Sequence, residues 1–82
     1  MSKRTEFIVE YGGDRFAVLR WLIEEMTDDV WQLQKTNLSA RNADNKYRWC
    51  ISAKKNNNLV RFSNQDDAQI FALVWGEKWD FT

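Results

Sequence analysis

Phe7, Val9 and Tyr11 alternate with Glu6, Ile8 and Glu10. A period of two is that of a half-buried strand, so residues 5–11 are expected to be one, ended by Gly12-Gly13. Asp14 then stands where a helix needs an N-cap. Phe16, Leu19, Leu22, Ile23 and Met26 recur at helical spacing, which predicts a helix to about Met26 with these five on its buried face and Trp21 to the side. Residues 30–36 alternate again and read as a second strand with Trp31 and Leu33 on its apolar side. Residues 37–46 are polar and without period, and are expected to be a flexible loop.

The clearest alternation covers residues 47–54. Tyr47, Trp49, Ile51 and Ala53 fall on one side, Arg48, Cys50, Ser52 and Lys54 on the other. Residues 55–58 read as a turn, and residues 59–63 as the returning hairpin strand. Ser63 or Asn64 caps a last helix, each with an Asp three residues on in the manner of a capping box. That helix is expected to run to about Trp75, with Ala68, Phe71, Val74 and Trp75 on one face and Gly76 closing it. In the tail, Trp79 and Phe81 either fold back as a short final strand or stand out as an aromatic anchor. The order is β-α-β-β-β-α with a possible short last strand. It predicts a single α+β domain, an antiparallel sheet with two helices packed on one face. The expected core is Phe7, Val9, Phe16, Leu19, Ile23, Trp49, Ile51, Val60, Phe62 and Phe71.

Composition narrows the chemistry. The 82 residues suit one domain, and an apolar content of 44% supplies a core. No apolar run suits a transmembrane helix, and the first six residues lack the apolar stretch of a signal peptide. Cys50 is the single cysteine, which points to a reducing, cytoplasmic setting. It is expected to be a buried structural thiol, since no histidine is present to activate it. Without histidine, general acid–base work near neutral pH and the usual zinc sites are both disfavoured. The acidic pairs Glu24-Glu25 and Asp28-Asp29 point in different directions from a helix and read as a solvated end, with a cation or a basic partner as the alternative. Gly12-Gly13 before a helix lacks the P-loop pattern, and Asp14 would repel an anion there. The chain is therefore expected to be no enzyme and to need no cofactor or metal.

The charge is zero overall but unevenly spread. Residues 35–61 hold Lys35, Arg41, Lys46, Arg48, Lys54, Lys55 and Arg61 against Asp44, a net of six positive charges. The remainder has five basic and eleven acidic residues, a net of six negative. Three readings stay open for the basic segment: a solvated sheet face, a patch for an acidic protein surface, or a nucleic-acid site in which Tyr47, Trp49 or Phe62 stacks on bases. Alternation counts against the last, because it sends Tyr47 and Trp49 to the core side, away from Arg48 and Lys54.

The stretch LVRFSNQDDAQIFALVW, Leu59 to Trp75, resembles the strand-into-capped-helix phrase of small accessory proteins of large tailed phages. The resemblance implies a non-catalytic protein acting in the cytoplasm of a host cell, where such proteins occupy a polymerase, a nuclease or a defence complex. It supplies no site residue. The expected function is a binding module that inhibits or redirects a macromolecular complex by surface occlusion. Its expected partner is a protein with an acidic surface, met by the seven cations above and by Trp79 and Phe81. The alternative is a small nucleic-acid-binding protein using the basic hairpin.

Overall fold

The structure, a computed structural model, describes residues 6–52 and 58–79. The elements are β1 (Phe7–Tyr11), α1 (Arg15–Glu25), β2 (Gln32–Gln34), β3 (Ser39–Arg41), β4 (Tyr47–Ile51), β5 (Leu59–Phe62), α2 (Gln65–Trp75) and β6 (Gly76–Trp79). The strands form one antiparallel six-stranded sheet in the order β2-β3-β4-β5-β1-β6. The fold is α+β with both helices on one face, in the expected order and with the short final strand in place.

One strand lies where a loop was expected. In β3, Ala40 faces the core opposite Trp49. Ser39 and Arg41 alternate to the other side, where Ser39 is fully buried and its hydroxyl donates to Asn37 and accepts from Arg41. A single apolar position leaves no periodicity to read. The following turn is also built rather than flexible. Asn42 Oδ1 accepts from the backbone N–H of Asp44 and of Lys46, each at 3.0 Å, and Asn45 takes φ 61°, which Asn tolerates better than most residues.

Cross-strand pairing sets the core layer. Leu33, Ala40, Trp49, Phe62 and Phe7 form one continuous row, and Ile51, Val60 and Val9 a second. Phe71 of α2 packs on the first row, with its ring 5.2 Å from Phe62, and lies edge-on to Tyr11 at 6.4 Å. Of the expected core, Val9, Trp49, Ile51, Val60, Phe62 and Phe71 are buried, and Phe7 and Leu19 are partly so.

Phe16 and Ile23 are corrections. They are 78% and 36% exposed; of the expected face of α1, Leu22 and Met26 are buried and Leu19 partly so, and Val18 is buried in addition. Residues 16–19 and 21–23 are all apolar, so the helix has more than one face to offer. Its rotation is set by distant partners. Trp21 packs edge-on to Phe71 at 5.8 Å, and the buried Nε1 of Trp49 donates to the Met26 carbonyl at 3.0 Å. An unpaired buried indole N–H costs free energy, so this bond fixes where α1 ends. In α2 the same kind of shift buries Ala72 and leaves Val74 55% exposed.

The helix ends follow local chemistry. Asp14 caps α1 by accepting from Ala17 N at 3.1 Å. Asn64, not Ser63, caps α2, accepting from the N–H groups of Asp66 and Asp67. Gly13 has φ 91°, a conformation open to glycine and strained for other residues. Gly76 does not close α2 with a left-handed turn. Its φ of −70° carries the chain directly into β6.

Candidate functional site: the open face of the sheet

The helices cover one face of the sheet, and among the described residues no helix covers the other. Which side chains reach it depends on a bulge. Ala40 pairs with Trp49, yet Arg41 pairs with Tyr47, so Arg48 is an extra residue in β4. The alternation is broken there. Arg48 comes round to the helix side, where its Nε and Nη2 donate to the two carboxylate oxygens of Asp67 at 3.0 and 3.3 Å. Asp28 lies 3.8 Å from Nη1. Tyr47 moves to the open face. There it lies beside Arg41, whose guanidinium sits 5.9 Å from the ring centroid. The Tyr47 hydroxyl donates to the Glu6 carboxylate at 3.0 Å.

Pairing also defines the rest of this face. Gln34, Ser39, Cys50, Arg61 and Ile8 form a row across five strands, and Leu59 faces Glu10 one row away. Ile8 is 44% exposed, and Leu59, Cys50 and Tyr47 are half-buried. Arg61 lies among them, between Cys50 and Ile8 in the row, and Arg41, Glu6 and Glu10 flank the group. Arg41 is held in place, with Nε on Ser39 Oγ at 3.1 Å and Nη1 on the Asn45 carbonyl at 2.9 Å. Partial burial, and then the hydrogen bond to Glu6, push the Tyr47 pKa up to about 12.

The structure spreads the expected partner-binding cations apart. Arg61 and Arg41 share the open face, and Lys35 and Lys46 are exposed in the turns beside it. Arg48 is not brought together with them, because its guanidinium is engaged by Asp67 on the other side. Lys54, Lys55 and Phe81 lie outside the described residues. Trp79 lies on β6, where its backbone pairs with Val9. Cys50 is not a buried thiol but half-exposed on the open face. Tyr47, Ile8, Leu59 and Glu6 were not expected on this face as a group. Outward alternation signals Ile8 and Leu59. The bulge that turns Tyr47 outward leaves no mark in the local pattern.

The other candidates are occupied by structural roles. Asp28 accepts from the N–H groups of Val30 and Trp31 at 2.9 and 2.8 Å, which holds its carboxyl below the ordinary carboxylate range. Asp67 is engaged by Arg48. Among the described residues no three groups of metal-ligating type converge. At Gly12-Gly13 the Asp14 carboxylate fills the place at the α1 N-terminus that an anion would take. No helix of the described residues is long and apolar enough to cross a membrane.

Comparison with family models, with curated proteins and with solved structures found no match.

Proposed function

We propose that this chain is a non-catalytic binding module that inhibits or redirects a macromolecular complex by covering part of its surface, and that it does so with the open face of its sheet. The observation that carries this reading is the composition of that face. Ile8, Leu59, Cys50 and Tyr47 gather around Arg61, with Arg41, Glu6 and Glu10 beside them, a mix of apolar and charged groups of the kind protein-docking surfaces use. Arg41 and Arg61, with Lys35 and Lys46 beside them, favour a partner that is acidic where it meets them. The proposed setting is the cytoplasm, of a host cell if the phage resemblance holds.

One observation favours the second reading, a single-stranded nucleic-acid partner. Tyr47 shares its exposed face with Arg41 and Arg61, the pairing of ring and cation that such sites use. Glu6 and Glu10 on the same face count against it, since they would repel phosphates.

The test is recovery of partners on the immobilised protein from a cell lysate, with and without nuclease, beside a Tyr47→Ala, Arg61→Glu variant. A protein captured by the wild type, insensitive to nuclease and lost with the variant, supports the reading. Capture that disappears with nuclease moves the case to the second reading. A protein retained equally by the variant removes the open face from consideration.

A further inference from the structure

A cleft of about 330 Å³ lies at the β2 end of the sheet. It is lined by Asp29 and Val30 before β2, by Gln32 and Gln34 of β2, and by Arg41 with the two residues after it. Of these only Asp29 and Arg41 are charged. Local structure holds both sides of the cleft. The Asp28 carboxylate accepts from the N–H groups of Val30 and Trp31, and Gln32 Nε2 donates to the Asp29 carbonyl at 3.1 Å, so the backbone that carries Asp29 is fixed. Asn42 Oδ1 ties the turn that follows Arg41. Pairing of Gln32 with Arg41, and of Gln34 with Ser39, sends both glutamines and Arg41 to the same side of the sheet. Arg41 is itself held by neutral groups: Ser39 Oγ on Nε, the Asn45 carbonyl on Nη1, and the Tyr47 ring 5.9 Å away. Among the described residues no carboxylate forms an ion pair with Arg41, and no cation forms one with Asp29.

We infer that this cleft binds a small zwitterion, a free α-amino acid, with its carboxylate on Arg41 and its ammonium on Asp29. A guanidinium fixed by neutral partners, with its charge uncompensated, is ordered before a carboxylate arrives, so binding costs little further side-chain entropy. Asp29 in the same cleft selects the ligand class. It repels a bare anion, as Arg41 repels a bare cation, and only a molecule carrying both charges meets both groups favourably. The volume is at the small end of the range for small-molecule sites, about 300–1,000 Å³, which suits a single amino acid. The carboxamides of Gln32 and Gln34 offer donors and acceptors to a polar side chain. The inference does not rest on the docking of a protein partner. Both use Arg41, so a bound amino acid and an acidic partner compete for that residue.

Heteronuclear NMR of the purified protein, titrated with glutamine and with two blocked forms of it, tests the inference. N-acetylglutamine keeps the carboxylate and loses the ammonium, and the α-amide of glutamine keeps the ammonium and loses the carboxylate. Glutamine is expected to shift the backbone amides of residues 29–34 and 41–43 saturably, and each blocked form to bind roughly tenfold more weakly. Two variants assign the charges. Arg41→Gln is expected to lose glutamine binding, but it also removes the bonds to Ser39 and Asn45. Asp29→Asn disturbs no such bond, since the Asp29 carboxylate has no partner among the described residues. It is expected to weaken glutamine roughly tenfold and to bind N-acetylglutamine at least as tightly as the wild type does, because the repulsion is gone. A residue that only shaped the cleft would weaken both ligands. The absence of a saturable shift at these residues overturns the inference. So does a wild type that binds a blocked form as tightly as glutamine, and so does either variant if it binds glutamine unchanged.

Discussion

Arg48 holds Asp67 through two nitrogens in a partly shielded setting, which makes it the charged residue whose loss should matter most to folding. A charge-assisted pair of this kind contributes about 1–3 kcal/mol. Arg48→Gln is expected to lower stability by that order in urea unfolding, whereas Arg61→Gln, exposed and without such a pair, should stay within about 0.5 kcal/mol of wild type. Equal losses for the two would remove the bulge argument. Tyr47 makes a prediction in pH. Its pKa is raised to about 12 in the folded protein from about 10 in an unfolded chain. A raised pKa contributes stability that is fully present below pH ~10 and is lost as pH rises through ~12. Tyr47→Phe should therefore be less stable than wild type at pH 8 and should close that gap between pH 10 and 12. Parallel stability curves for the two proteins would show that neither the partial burial of Tyr47 nor its bond to Glu6 raises its pKa. Gly13, at φ 91°, should not accept a side chain freely, and Gly13→Ala is expected to cost about 1–2 kcal/mol.

The helices separate what local pattern shows from what packing adds. Asp14 and Asn64 cap α1 and α2 as side-chain chemistry requires, and Asn64→Ala should cost about 1 kcal/mol. The rotation of α1 is a different matter. Phe16 was legible as a helical residue but not as an exposed one, because an apolar run offers several faces and only Trp21 on Phe71 and Trp49 on the Met26 carbonyl choose among them. The contrast is measurable. Leu22→Ala is expected to cost about 2–5 kcal/mol, as a buried truncation does, and Phe16→Ala well under 1 kcal/mol. Thermal melts that rank the two in the opposite order would return Phe16 to the core. Strand β3 escaped detection for a related reason. With only Ala40 turned inward, its burial comes from Trp49 across the ladder and not from its own composition.

Across the whole molecule, the open sheet face carries Arg41 and Arg61 beside Glu6 and Glu10, and the helical side holds Arg48 among Asp67 and Asp28. The sequence already showed a division into basic and acidic segments, but not how far pairing would consume it. Arg48 is drawn away to Asp67, and Glu6 and Glu10 come to lie beside the arginines that remain. Cys50 offers a probe of this face. Half-exposed in the middle of the row from Gln34 to Ile8, it is expected to react with a small maleimide in the native protein without denaturant. Labelling should slow when a partner covers the face. A rate unchanged by a bound partner would place the contact elsewhere.

The sequence by itself determined the elements that short-range physics controls. These are the alternating strands β1, β4 and β5, the two capped helices and their order, and hence an antiparallel sheet with helices on one side. Period and capping act within a few residues and are written in the chain. Only the tertiary structure decided which face of α1 is buried, that β3 exists, and that Tyr47 faces out while Arg48 faces in. Each of these is fixed by a partner far along the chain. Phe71 and Trp49 orient α1, Trp49 pairs with Ala40, and Asp67 holds the bulged Arg48. A one-residue bulge breaks the alternation of its strand, so the places of Tyr47 and Arg48 were settled by pairing between strands, whereas Ile8, Leu59, Cys50 and Arg61 follow the alternation of their own strands.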